Sequence, residues 1–408
     1  MSDLLPRASA SGLSRLLAAL PVAVVTGVRQ AGKSTLVRAT PRLADYALYS
    51  LDDPLVRAEA QADVSAFVRK HPRMIIDEVQ RVPDLLLGAK LAVDDEMQRT
   101  KGRFVLTGSA NLLMMRQVGD SLAGRAGYIT LHPMTRRELL GFGSTGFWSR
   151  FFESPFESWR DAFPDEDAIP GDWRDLASRG GYPVPSLQLD ADAREEWFAS
   201  YVATYLERDL RDLSNVADLT DFRLAMTAFA LRAGTPVNHA DVARELGMVA
   251  RTLRRWLELL DVTFQVARLP AYAVRQTARL RKRPKYYWND AALALHVAQQ
   301  SEPAGVHLET IVFADLRAWA AAQSRRPGVM YWRDEENREV DFIVEHDGAV
   351  LAVEVKATRR ITGSDWRHLA YFTREYERRC IGGVLLYDGD QMVRLSDRVM
   401  AIPWWRVL

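Results

Sequence analysis

The chain has 408 residues, 48% of them hydrophobic and 26% charged, which is the balance of a folded protein and excludes a disordered or fibrous one. That length exceeds one ordinary core and predicts two to four domains. A formal net charge of +1 excludes a globally basic nucleic-acid coat, so any such contact must come from a local patch.

A single cysteine, Cys380, rules out an intrachain disulfide framework and a cysteine-based zinc site, and reads as a small packing residue. Residues 1–5 lack the basic start of a secretory signal. The apolar run 16–25 is broken by Pro21 and too short to cross a bilayer. The expectation is a cytoplasmic protein without a membrane partner.

Residues 8–20 offer Ser and Gly capping positions and then an apolar stripe, the pattern of a short helix. Residues 21–25 form a continuous apolar strand of the buried parallel kind, and 74–76 and 104–106 repeat it. Helical stretches at 34–39 and 84–98 lie between them, which predicts an α/β domain with a parallel sheet. In 142–175, Gly, Pro and aromatics crowd together without a period. There Trp148, Phe151, Phe152, Phe156 and Trp159 are either a partner surface or the small core of a helical insertion. Residues 191–233 are helical in pattern, and a helix–turn–helix follows Pro236. From His307 a helix leads into strand-like runs at 340–345, 350–355 and 383–387, a separate α/β domain.

Gly27-Val28-Arg29-Gln30-Ala31-Gly32-Lys33-Ser34, followed by Thr35, satisfies G-x-x-x-x-G-K-[ST] between a buried strand and a helix. The glycines let the backbone curl so that successive N–H groups meet phosphate oxygens at a helix N-terminus. Lys33 supplies a point charge to the β- and γ-phosphates of ATP, and Ser34 a hydroxyl for Mg²⁺. Asp77 and Glu78 end the second apolar strand. A carboxylate there is costly without a cation, so Asp77 reads as the Mg²⁺ partner, direct or through water, and Glu78 as the base that polarises the attacking water. Past the third strand, Ser109 or Asn111 either senses the γ-phosphate or caps the next helix.

Residues 239–247 read as a first helix closed by Gly247, and 249–260 as a second. Leu253, Leu257 and Leu260 point inward in that second helix, leaving Arg251, Arg254 and Arg255 outward. The run 268–285 carries seven basic residues and no acid, either a wing for DNA phosphates or a solvated face. Farther on, Glu354 and Lys356 share a strand face, with Asp341 upstream and Glu309 on the preceding helix. Asp followed by Glu-x-Lys is the arrangement of restriction-endonuclease-like nucleases, in which Asp341 and Glu354 would hold Mg²⁺ and Lys356 would orient water. The alternative is a retained fold whose acids only pair with Lys356.

The strings GVRQAGKST, IIDEVQRVP, LTGSAN and SLAGR, with GGYP at 180–183, YLERDL at 205–210, EVDF at 339–342 and EVK at 354–356, resemble the prokaryotic AAA-type ATPases that carry a DUF4143 domain. The resemblance spans nearly the whole chain apart from 142–175. It implies a P-loop ATPase domain at 1–140, a helical lid or insertion at 141–232, a winged-helix domain at 233–290 and a nuclease-like α/β domain at 291–408. It also implies a homo-oligomer, in one form a ring, with an arginine donated in trans. Arg125 is the candidate for that finger, with Arg136, Arg137 and Arg208 as rivals. The expected function is an ATPase that couples turnover to remodelling of, or translocation on, branched or duplex DNA. An ATP-gated Mg²⁺-dependent nuclease and a nucleotide-dependent protein switch in defence or toxin–antitoxin systems are the alternatives.

Overall fold

A computed structural model describes residues 4–95, 100–108, 122–167, 169–204, 219–274, 279 and 282–408. The chain divides into two compact units. The first runs to Met134 and takes in 141–144 and 262–264; the second holds 135–140, 145–261 and 265–408.

The first unit is built on five parallel strands, β1 (Val22–Gly27), β2 (Ala47–Ser50), β3 (Met74–Asp77), β4 (Phe104–Thr107) and β5 (Ala126–Leu131), in the order β2-β3-β4-β1-β5. Every residue of β1, β3 and β4 is buried, as strands covered on both faces must be, and this is why they stand out as apolar runs. Short β2 and mixed β5 lie at the edges, where most residues are only half-buried, and neither stands out as an apolar run in the sequence. Val22, Val24, Ile76, Phe104 and Leu106 share one core with Leu85 and Leu86 of the helix Asp84–Asp94. That helix ends before the expected residue 98, with 96–99 outside the described residues.

The second unit combines a series of helices, a two-stranded hairpin and a six-stranded sheet. In the helix–turn–helix, Asn238 caps the helix His239–Glu245 by accepting from Ala240 N–H at 3.2 Å. Gly247, at φ +67°, ends it, with Met248 N–H closing back on the Ala243 carbonyl at 2.8 Å. The helix Ala250–Val262 buries Leu253, Trp256, Leu257 and Leu260. Strands β6 (Val266–Leu269) and β7 (Lys285–Trp288) pair antiparallel and form the wing.

The sheet runs β12-β13-β11-β10-β9-β8, from β8 (Gly328–Arg333), β9 (Glu339–His346), β10 (Ala349–Lys356), β11 (Cys380–Tyr387), β12 (Val393–Ser396) and β13 (Val399–Pro403). An antiparallel meander β8-β9-β10 is followed by the parallel neighbours β11 and β13, with the helix Gly363–Glu375 crossing between β10 and β11. Residues 145–232, expected as part of a lid, belong to the same unit as this sheet. Trp148, Phe151, Phe156, Trp159, Phe163 and Trp173 are buried in one core with Phe342, Val353, Val384 and Leu386 of the strands. Of the two readings of the aromatic stretch, this is the core, shared with the C-terminal strands instead of confined to the insertion. The glycine at Gly382 makes room for it, since a Cβ there would stand 2.7 Å from Trp159 and 2.9 Å from Phe156.

Candidate functional site

Strand order places β4 between β1 and β3, so the loop after β1 and the acids ending β3 meet on either side of Thr107. Gly27 adopts φ +137° where a Cβ would lie 2.1 Å from the Leu131 carbonyl oxygen, and Gly32 begins the helix Lys33–Ala39 at φ +91°. Both positions demand the glycines that the motif supplies. Lys33 is only 6% exposed and folds back over the loop, its Nζ donating to the carbonyls of Val28 at 3.0 Å and Gly27 at 3.3 Å. Burial lowers its pKa, while Glu78 and Asp77 act in the other direction.

Asp77 is 5% exposed. Its Oδ2 accepts from the Ser34 hydroxyl at 2.8 Å and its Oδ1 from the Thr107 hydroxyl. Among the described residues no cation is ion-paired with it, so a buried negative charge is met by two neutral hydroxyls. That donor set fits Mg²⁺, with Ser34 and Asp77 to hold it. Glu78 follows at φ +58°, a left-handed conformation uncommon for glutamate, which turns its carboxylate away from the strand. Its N–H reaches the Thr107 hydroxyl at 3.3 Å, and Gln80 Nε2 donates to its carboxylate.

Thr107 thus binds both acids, and the sequence reading passed over it for Ser109 and Asn111, which lie outside the described residues. The available signal was its place as the last residue of an apolar strand, level with Asp77. Arg29, Gln30 and Ala31 lie in the loop between the two glycines, and Thr35 in the first turn of the helix.

Arg125 lies at the other end of the sheet. It precedes Ala126, which pairs with Val22, while Gly27 pairs with Leu131, about 17 Å along the strand. Asp94 grips its guanidinium with two bonds, at 2.6 and 2.7 Å. The rivals Arg136 and Arg137 are buried. Arg136 donates to the Leu408 carbonyl at 2.7 Å, with burial pulling its pKa down to about 10, and Arg137 packs over the Phe147 ring. Arg208 and the YLERDL string lie outside the described residues.

On the winged helix, Arg251, Arg254 and Arg255 are exposed, with Arg254 paired to Glu258 at 2.9 Å. Of the basic run 268–285, Arg268, Lys282 and Arg283 are exposed. Arg279, Lys282 and Lys285 all turn toward the C-terminal sheet, while residues 275 and 281 lie outside the described ones.

The acids of that sheet do converge. Asp341 Oδ2 accepts from Val355 N–H at 2.9 Å, Glu354 Oε1 from Lys356 at 2.6 Å, and Glu309 Oε2 from the Tyr287 hydroxyl at 2.9 Å. Burial, then the charge of Asp341, pushes Glu309 up to about 8 and raises Glu354 well above the carboxylate range. For Lys356 burial works downward, but Glu354 and Asp341 prevail and raise it. Among the described residues no group of three acidic, histidine or cysteine side chains stands where it could hold a metal. Asp341 and Glu354, the expected Mg²⁺ ligands, are both buried in this cluster, at 8% and 7% exposed.

No described helix is long and apolar enough to cross a membrane. Cys380 is buried, with its thiol pushed up to about 11 by burial.

Residues 20–140 match an AAA domain, 170–304 a domain of unknown function (DUF8612) and 304–407 another (DUF4143). An uncharacterized protein of Mycobacterium tuberculosis is 27% identical over 98% of this chain and 84% of its own length. One from Haemophilus influenzae is 22% identical over 92% and 93%. Among solved structures, a Walker-type ATPase of Pyrococcus abyssi aligns with TM-score 0.42 and 15% identity, over 72% of this chain and 99% of its own. A variant of Thermotoga maritima RuvB aligns with TM-score 0.31 and 20% identity, over 66% and 91%. The matched segments and the strand–loop–helix geometry at Gly27–Ser34 agree, and the chain carries an AAA-type P-loop ATPase domain joined to a DUF4143 domain.

Proposed function

We propose that this chain hydrolyses ATP at the Gly27–Ser34 loop and couples turnover to DNA. The observation that carries the first half is Asp77, a buried carboxylate hydrogen-bonded among the described residues by the hydroxyls of Ser34 and Thr107, beside a complete phosphate loop. Bound Mg²⁺ supplies charge neutralisation at the β- and γ-phosphates. The chain's own groups do the rest. Loop N–H groups and the start of the helix Lys33–Ala39 bind phosphate, and Lys33 exchanges its loop carbonyls for phosphate oxygens. Glu78, released from Gln80, takes the proton of the attacking water, with Thr107 fixing its backbone. A homo-oligomer with an arginine supplied by the neighbouring copy belongs to the same proposal.

DNA coupling is supported by the helix Ala250–Val262, whose apolar face is buried and whose Arg251, Arg254 and Arg255 are exposed. The exposed Arg254–Glu258 pair costs little to break. Steady-state ATPase activity should be measured with single-stranded, duplex and four-way-junction DNA at two salt concentrations. Lys33→Ala is expected to abolish turnover. Stimulation by one DNA form should fall with salt, and Arg251→Ala should reduce that salt dependence by about one counterion. A wild-type rate in Lys33→Ala overturns the site. Indifference to every DNA overturns the coupling and leaves a protein-directed switch.

A further inference from the structure

Pro270 and Ala271, just past the first wing strand, run alongside β8, the outermost strand of the C-terminal sheet. Ala271 and Tyr331 form a parallel bridge, Tyr331 N–H donates to the Pro270 carbonyl at 2.9 Å, and its hydroxyl donates to the Arg283 carbonyl. An edge strand is thereby covered that would otherwise offer unpaired backbone groups. Three cations described between 279 and 285 meet the same sheet. Arg279 meets Glu345 at 2.9 Å, Lys282 the Arg333 carbonyl at 2.8 Å, and Lys285 meets Glu339 at 2.5 Å and Asp341 at 4.0 Å.

Lys285 is the telling member, because it is 1% exposed. A lysine is desolvated to that degree only where acids compensate for the lost water. Glu339 is also approached by Arg333 at 3.6 Å, Glu354 is held by Lys356, and Asp341 is bonded on its other oxygen by Val355 N–H. Glu354 Oε2 is left buried with no hydrogen-bond partner among the described residues. The cation nearest Asp341 comes from the wing strand β7.

We propose that Lys285 is a tethered cation occupying the acid cluster in place of a divalent metal, so that the cluster is a lock holding the wing to the C-terminal sheet. This inference is independent of the ATPase reading. The lock also engages Arg279, Lys282 and Lys285 with the sheet, leaving the helix Ala250–Val262 as a face for nucleic acid.

Two measurements on the full chain test it. Mn²⁺ binding, followed by its spin-resonance signal, is compared between wild type and Asp341→Asn; no difference is expected. Limited trypsin digestion is then compared between wild type and Lys285→Met. Cleavage after Arg279, Arg281 or Lys282 should rise about tenfold, because a lost lysine leaves buried acids uncompensated and frees the segment. Adding Glu339→Gln and Asp341→Asn to Lys285→Met should restore much of the protection. Saturable Mn²⁺ binding that Asp341→Asn removes would overturn the proposal, and so would unchanged digestion in Lys285→Met. If Lys285→Met fails to fold, the metal comparison on wild type still decides.

Discussion

Thr107→Val removes one hydroxyl while keeping the branched shape of the side chain. The residue is fully buried, so no bulk water can replace the hydroxyl. Two bonds disappear: the donation to Asp77 Oδ1, and the acceptance from Glu78 N–H at 3.3 Å. A hydrogen bond to a buried charge is worth about 1.5–3 kcal/mol and a neutral one about 0.5–1.5 kcal/mol. The first unit should therefore lose about 2–4 kcal/mol, read as a lower midpoint of its own denaturant transition. Catalysis should suffer as well, because Asp77 keeps only Ser34 to orient it and Glu78 loses its backbone anchor. An effect of about 2 kcal/mol on the transition state lowers kcat roughly 30-fold, at nearly unchanged KM if nucleotide binding rests on the loop. Unfolding followed by nucleotide-domain fluorescence, together with steady-state ATPase kinetics, measures both. A variant whose midpoint and kcat both match wild type would refute the role of Thr107 as the link between the two acids.

Two further outcomes are expected in the second unit. Asp315 is fully buried and accepts from Trp148 Nε1 at 2.7 Å and Gly146 N–H at 2.8 Å, while its other oxygen has no partner among the described residues. Burial raises its pKa from 3.8 to about 6, so the folded state holds its proton more tightly than the unfolded chain does. The resulting stability is present in full below about pH 3.8 and is lost as pH rises through about 6. Asp315→Asn keeps both acceptor bonds without the charge, and should raise the melting temperature at pH 7.5 and flatten its dependence between pH 4 and 6, conditions taken about the two pKa values. Thermal scans across that range check the sign. Gly382→Ala would press a methyl group against Trp159 and Phe156 and should destabilise the second unit by about 1–3 kcal/mol, as overpacking does. A neutral result in urea unfolding would mean that the aromatic stretch yields easily.

Local chemistry made the nucleotide site readable from residues alone. A phosphate loop needs glycine at fixed spacing, lysine and serine in sequence, and a carboxylate after a fully apolar strand, and all of these are contiguous in Gly27–Ser34 and Met74–Glu78. The parallel sheet was readable for the same reason, since strands buried on both faces are apolar throughout. The edge strands β2 and β5 were not, because half-exposed strands dilute that signal.

Tertiary structure alone decided the rest. Thr107 acquires its partners from strand order, which sets β4 beside Asp77 and Glu78, 30 and 29 positions earlier in sequence. The aromatic residues of 142–175 look the same in sequence whether they face a partner or a core. Only the long-range packing of Trp159 against Gly382 assigns them to the C-terminal core. The basic run likewise has one composition and two destinations. Its net positive charge was visible in the sequence, but Lys285 lies 54 residues from Glu339, and an ion pair across that separation depends on the fold, not on local propensity.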